Sequence, residues 1–173
     1  MTKVYLFEAL PLKKAISRKL HELVHERDNI AYVTARKDEE YEKPERTFEE
    51  VTEELNDVRD DYRKVSLKIA AANSGAIVET STGTVYTLVE ALELAKQMRA
   101  EAALLKRFGQ SKKTERLPSY NSSEVEYKYA QFDPKSLKAK GEELEKFANS
   151  LSNAIERANH THYISFGNAD KYM

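Results

Sequence analysis

Residues 4–12 read VYLFEALPL and residues 85–94 read VYTLVEALEL, which is the same pattern with one inserted residue, and a lysine follows in both. A unit of about 80 residues that occurs twice predicts an internally duplicated fold. We therefore expect a single domain built of two repeats, at about residues 4–78 and 85–166. The ends of the two repeats agree as well, with IAAAN at residues 69–73 and IERAN at residues 155–159.

Apolar residues in the second half of each repeat recur at alternating spacings of four and three. This is the seam of a helix that packs lengthwise on a neighbour. In the first repeat the seam residues are Val51, Leu55, Val58, Tyr62, Val65 and Ile69. In the second they are Leu137, Leu144, Ala148, Leu151, Ile155 and Ala158, with Gly141 as a gap. The first half of each repeat has a similar period, so each repeat is predicted to be a helical hairpin.

Signals at helix ends place four helices, at about residues 7–29, 46–73, 88–108 and 134–159. Thr47 and Thr87 are each followed three residues later by a glutamate, which is the capping-box arrangement. Asp133 is a capping carboxylate before a proline at the first helical position. Pro11 removes a hydrogen bond from any helix that contains it, so the first helix either begins near Leu10 or is kinked.

Short segments outside the helices favour β-strands. Residues 76–79 and 84–86 flank a glycine-containing turn and predict a hairpin, and residues 162–166 are a third candidate. By the repeat, these strands lie at one end of the bundle, the base. At the opposite end, the tip, residues 124–129 alternate polar and apolar side chains, which is typical of a strand. The predicted fold is mainly all-α: an internally duplicated, antiparallel bundle of four helices with short strands at its base and tip.

The composition excludes several classes of protein and site. The chain has no cysteine, which excludes disulfides, thiolate metal sites and cysteine nucleophiles. No uncharged apolar run approaches the roughly 18 residues that span a bilayer, so we expect a soluble, cytoplasmic protein without a membrane partner. The net charge of -1 argues against whole-surface binding of duplex nucleic acid. The five scattered glycines form no glycine-rich phosphate loop, and we expect no cofactor.

The sharpest chemical motif is HELVH at residues 21–25. It matches H-E-x-x-H, in which two histidines bind zinc and the glutamate polarises a water. The seam of the first helix, however, places His21 and His25 on outward positions. We therefore expect neither a metal site nor a catalytic residue, and a zinc hydrolase is our third alternative. Adjacent carboxylates such as Asp60-Asp61 point in different directions on a helix, which is consistent with solvated faces.

One segment, residues 106–123, is strongly basic and is followed by further tyrosines. Cations for phosphate and flat rings for stacking are what a nucleotide-like anion or a single strand requires. The alternative is a basic helix end that favours the helix dipole, with tyrosines packed on the tip. The candidate ligand-binding residues are Arg107, Lys112, Lys113, Arg116, Tyr120 and Tyr127.

The order of several segments resembles a family of small bacterial helical proteins commonly called septicolysins. The segments are Glu8-Ala9-Leu10, Leu88 through Leu92, Tyr120 with Ser123-Glu124-Val125, and Ala158-Asn159-His160-Thr161. The resemblance covers most of the chain. Ser122 stands where that family often has an arginine, which weakens any anion site that the resemblance implies. No segment has the membrane-inserting apolar face that the family name suggests.

Three classes of function follow from these patterns. The first is a non-enzymatic, oligomeric binding protein that captures a small anionic or nucleotide-like ligand at the tip or between subunits. The second is a structural or assembly protein that acts through coiled-coil contacts. The third is the zinc hydrolase. Short strands with unpaired edges favour pairing with another copy of the chain, so we expect a homo-oligomer, most simply an even-numbered one.

Overall fold

A computed structural model describes residues 2–37, 40–80, 82–117 and 125–173. Its α-helices are α1 (Leu6–Ile30), α2 (Phe48–Gly75), α3 (Leu88–Gly109) and α4 (Pro134–Thr161). A short 3-10 helix follows at Ala169–Lys171. The mainly helical class is confirmed, and every helix boundary lies within two residues of its predicted position. No helix in the described ranges is both long and apolar enough to cross a membrane.

The strands form three two-stranded antiparallel ribbons in the described part of the chain. Their bounds are β1 (Thr2–Tyr5), β2 (Ile77–Glu79), β3 (Val85–Thr87), β4 (Thr114–Arg116), β5 (Tyr127–Tyr129) and β6 (Tyr163–Phe166). The pairs are β1 with β6, β2 with β3, and β4 with β5. The expectation of a lone strand at the tip that needs another copy is wrong, because β4 pairs with β5 within the chain.

The chain divides into two compact units. The first comprises Met1–Ala76 with Asn159–Met173, and the second comprises Ile77–Ala158. These units differ from the predicted repeats at two strands. The strand β2 begins within the first predicted repeat, yet it belongs to the second unit. The strand β6 ends the second repeat in sequence, yet it pairs with β1 in the first unit.

The two predicted repeats begin in the same way, because a strand runs directly into a helix in both. The backbone N–H of Tyr5 donates to Glu8 Oε2 at 3.0 Å, and that of Thr87 donates to Glu90 Oε2 at 2.8 Å. The capping box predicted at Thr47 is also confirmed, because the backbone N–H of Thr47 donates to Glu50 Oε2 at 2.8 Å. These backbone hydrogen bonds hold the pKa of Glu90 and of Glu50 below the usual range. The carboxylates of Glu90 and Glu50 therefore stabilise their helices at pH values above the ordinary glutamate pKa. They lose this effect as the pH falls through their lowered pKa.

In the first unit, α1 and α2 pack antiparallel along the predicted seam. Lys19 forms an ion pair with Glu54 at 3.2 Å, and Glu26 forms one with Arg46 at 3.0 Å. A later residue of the first helix therefore meets an earlier residue of the second, which shows that the two run in opposite directions. Five of the six predicted seam residues of α2 are buried, with Val65 at 0% exposed, and Tyr62 is half-buried. The helix α1 begins at Leu6 and contains Pro11, so of the two alternatives for Pro11 the start near Leu10 is wrong.

In the second unit, α3 and α4 are also antiparallel, and they approach closely at two glycines. A Cβ atom on Gly141 would lie 3.0 Å from the carbonyl oxygen of Ala102 and 2.8 Å from Lys106 Cγ. A Cβ atom on Gly109 would lie 2.8 Å from the Cα of Lys138. The gap in the second seam is therefore a contact between helix backbones, which only a residue without a side chain permits.

Candidate functional site

The ribbon of β4 and β5 carries the aromatic and basic residues that the sequence singled out. Its register pairs Thr114 with Tyr129, Glu115 with Lys128, and Arg116 with Tyr127. Two backbone hydrogen bonds of 2.9 Å extend the pairing, from Leu117 to Glu126 and from Ala130 to Lys113. The ribbon thus fixes side chains that are more than ten residues apart in sequence.

One face of this ribbon combines a cation with two exposed rings. Because side chains alternate along a strand, Arg116, Tyr127 and Tyr129 lie on the same face. The centroids of the two tyrosine rings are 6.2 Å apart, with an angle of 39° between the ring planes. All residues of both strands are exposed. We call these three residues the aromatic face. The opposite face carries Glu115 and Lys128.

Lys113 is engaged within the protein. Its ammonium donates to the carbonyl oxygens of Ala130 at 2.9 Å and Phe132 at 2.8 Å. The ring of Phe132 in turn contacts that of Phe108 at the end of α3, with centroids 5.4 Å apart. An isolated two-stranded ribbon is marginally stable in water, so these contacts help to hold it in place. The main role that the structure gives Lys113 is therefore to stabilise the ribbon.

The other candidate residues, Arg107, Lys112 and Tyr120, are not part of the aromatic face. The Arg107 guanidinium lies 5.5 Å from the ring centroid of its neighbour Phe108. Lys112 is exposed and precedes β4 by two residues. Tyr120 lies outside the described residues. The structure thus brings Arg116 and Tyr127 together, and it adds Tyr129, one of the tyrosines that follow the basic segment.

The H-E-x-x-H motif lies on the surface of α1, as its position relative to the seam predicts. His21 and His25 are both exposed. The side-chain amide nitrogen of Asn29 lies 3.0 Å from His25 Nδ1. Within the described ranges, no group of three or more histidine, cysteine, aspartate or glutamate side chains is placed to hold a metal ion.

A buried carboxylate that the sequence did not single out lies in the first unit. Asp61 is 3% exposed, so the interpretation of the Asp60-Asp61 pair as solvated is wrong for this residue. Its oxygens accept bonds from Asn168 Nδ2 at 2.8 and 2.9 Å and from the Tyr172 hydroxyl at 2.9 Å. Burial and the bond to Asp61 raise the pKa of Tyr172 above the ordinary tyrosine value. A signal was available, because Asp61 lies three residues after Val58 and four before Val65, in phase with the seam.

Comparisons with other proteins agree with this fold. The chain belongs to a family of unknown function (DUF6847), whose model matches residues 13–164. It is similar to the crystal structure of a functionally unknown conserved protein from Corynebacterium diphtheriae. The TM-score is 0.58 at 23% sequence identity, covering 95% of this chain and 100% of that chain. No curated protein matches the chain. The likeness to the solved structure concerns the fold alone, and the resemblance to septicolysins stays a prediction.

Proposed function

We propose that the protein is a non-enzymatic binding protein that captures an anionic ligand with planar rings on the aromatic face. The observation that carries this proposal is the register of β4 and β5, which sets Arg116 opposite Tyr127 and beside a second exposed ring. A guanidinium binds phosphate with charge-assisted hydrogen bonds, and a base stacks on an aromatic ring. Because the face is open, a nucleotide or a short single strand fits it better than a ligand that requires enclosure.

Titration with nucleotides and short single-stranded oligonucleotides tests this proposal. Tyr127→Ala should weaken binding by about 1 to 3 kcal/mol if a base stacks there. Arg116→Glu should weaken it as well and should reduce the dependence of affinity on salt, because one ionic contact is lost. Calorimetry at two salt concentrations measures both effects.

Lys128→Glu provides the matched control. It reverses a charge in the same ribbon, on the face that does not carry the tyrosines. Binding by this variant should stay close to that of the parent protein. Equal losses for the Arg116 and Lys128 variants would indicate general electrostatic attraction, and no heat with any ligand would refute the proposal.

A structural or assembly role is the second candidate, and exposed apolar residues at equivalent places favour it. Phe7 and Leu10 follow the capped start of α1, and Val89 and Leu92 hold the equivalent positions in α3. Exposed apolar residues that recur in both repeats are typical of a contact surface. They support our proposal that the protein forms a homo-oligomer.

Light scattering over a range of concentrations measures this assembly. We expect an oligomer at micromolar concentration, and Leu10→Glu with Leu92→Glu should shift it toward the monomer, because each change places charge at an exposed apolar position of its own unit. The exposed Leu67, at 76% accessibility on α2, offers a control substitution, Leu67→Glu. A parent protein that is monomeric at micromolar concentration would contradict the assembly proposal.

A further inference from the structure

Two cavities follow one face of α1 in the first unit. The first, of about 390 Å³, is lined mainly by charged side chains from α1, α2 and the C-terminal segment. The second, of about 420 Å³, is lined mainly by apolar side chains. Ala15 and Tyr172 belong to the walls of both. Each volume falls within the range of small-molecule sites. We call the two cavities together the α1 groove.

The groove is long rather than round. Its lining residues on α1 run from Phe7 to Glu22. At about 1.5 Å per residue, this stretch of helix spans roughly 22 Å. An elongated ligand with two chemically different ends therefore suits the groove.

The charged end carries both signs of charge. Lys19 and Glu54 form an ion pair at 3.2 Å and largely neutralise each other. Four other lining side chains have neither a hydrogen bond nor an ion pair within the described residues. They are the cations Arg18 and Lys171 and the carboxylates Glu22 and Asp57. A ligand that offers one anionic and one cationic group can satisfy members of both sets.

The apolar end has a buried floor and an exposed rim. Leu12 is 2% exposed, whereas Phe7 is 44% and Met173 is 69% exposed. The carboxylate that borders this end, Glu8, already accepts the N–H of Tyr5 at 3.0 Å. Covering the exposed rim with a hydrocarbon chain would remove apolar surface from water, which is favourable.

The side chain of Tyr172, which lines both cavities, is held in place by the buried carboxylate of Asp61. The hydroxyl of Tyr172 donates to Asp61 at 2.9 Å, and Asn168 donates to the same carboxylate. Because Asp61 is buried and accepts from both half-buried donors, the ring of Tyr172 is held in position without a ligand. A site that is formed in advance loses less free energy to ordering when a ligand binds.

We propose that the α1 groove binds a small amphiphile with a zwitterionic head and one apolar chain. The head lies among Arg18, Lys171 and Asp57, and the chain lies over Phe7 and Met173. A purely anionic head would meet two carboxylates, and a purely cationic head would meet two cations. An uncharged head would desolvate all four charges without pairing any of them. This site is independent of the aromatic face.

Calorimetry with dodecylphosphocholine, below its micelle concentration and at low salt, tests the proposal. We expect one molecule bound per chain. Dodecyl sulfate, dodecyltrimethylammonium and dodecyl maltoside carry the same chain with anionic, cationic and uncharged heads. Each should bind at least about tenfold more weakly. Phosphocholine without the chain should also bind more weakly, because the apolar end stays empty.

Variants locate the site. Arg18→Gln with Lys171→Gln should weaken dodecylphosphocholine binding by about tenfold or more. Lys14→Gln is the matched control, since Lys14 is an exposed cation on α1 that lines neither cavity. Circular dichroism checks that each variant keeps its helices. Equal binding of all four head groups, many molecules per chain, no binding at all, or an unaffected Arg18 and Lys171 variant would each overturn the proposal.

Discussion

Val65→Asp should lower the free energy of unfolding by about 3 to 5 kcal/mol, because it leaves a carboxylate buried without a partner. Val65 is 0% exposed and lies in the seam of α2. A domain of ordinary stability has only about 5 to 15 kcal/mol in total, so this loss is a large fraction of it and the melting temperature should fall clearly. Urea unfolding followed by circular dichroism measures the change.

The control and the pH dependence sharpen this prediction. Leu67→Asp places the same carboxylate two residues further along α2, where the side chain is 76% exposed, and should have little effect. The penalty at position 65 should shrink at acidic pH, because protonation removes the buried charge. If Val65→Asp melts cooperatively near the parent temperature at neutral pH, the seam assignment is wrong.

Gly141→Leu should destabilise the second unit by about 2 to 3 kcal/mol through overpacking between α3 and α4. Helix propensity alone predicts the opposite sign, because glycine is about 1 kcal/mol worse than a good helix former in an exposed helix. The steric term should win, since the carbonyl oxygen of Ala102 would lie 3.0 Å from the new Cβ and belongs to helix backbone. Denaturant unfolding with a probe of helix content gives the value.

Ala139→Leu is the matched substitution on the same helix. Ala139 is exposed, so adding the same side chain there should change stability by less than about 0.5 kcal/mol. A Gly141→Leu variant more stable than the parent protein would show that α3 and α4 do not approach closely at this glycine.

The helices were predictable because their signals are local. The seam through Val51 and Val65 and the capping boxes at Thr47 and Thr87 depend on residues within one or two turns. The strands β1 and β4 were not predicted, because the partner strands that define them are not local in sequence. The sequence of β4, Thr114–Arg116, is wholly polar and has no alternation to detect. It is a strand only because β5 lies beside it.

The candidate site was predictable in composition and not in arrangement. Basic and aromatic residues in one connection indicated a surface for anions, but only the ribbon register shows that Arg116 faces the same way as Tyr127. The burial of Asp61 had a local signal in its phase with the seam, but its partners, Asn168 and Tyr172, lie more than one hundred residues away. No local pattern around Asp61 specifies a contact at that distance.

The pairing of β1 with β6 has a consequence for the chain as it leaves the ribosome. Thr2 pairs with Phe166, so the partner strand of β1 is made only after all four helices α1 to α4. The second unit, Ile77–Ala158, is fully synthesised before β6 exists. Nascent chains usually fold from their N-terminal side first. Here β1 and Asp61 must wait until β6, Asn168 and Tyr172 have been made, so a chain that stalls before these residues would expose the strand and the carboxylate that the folded protein covers.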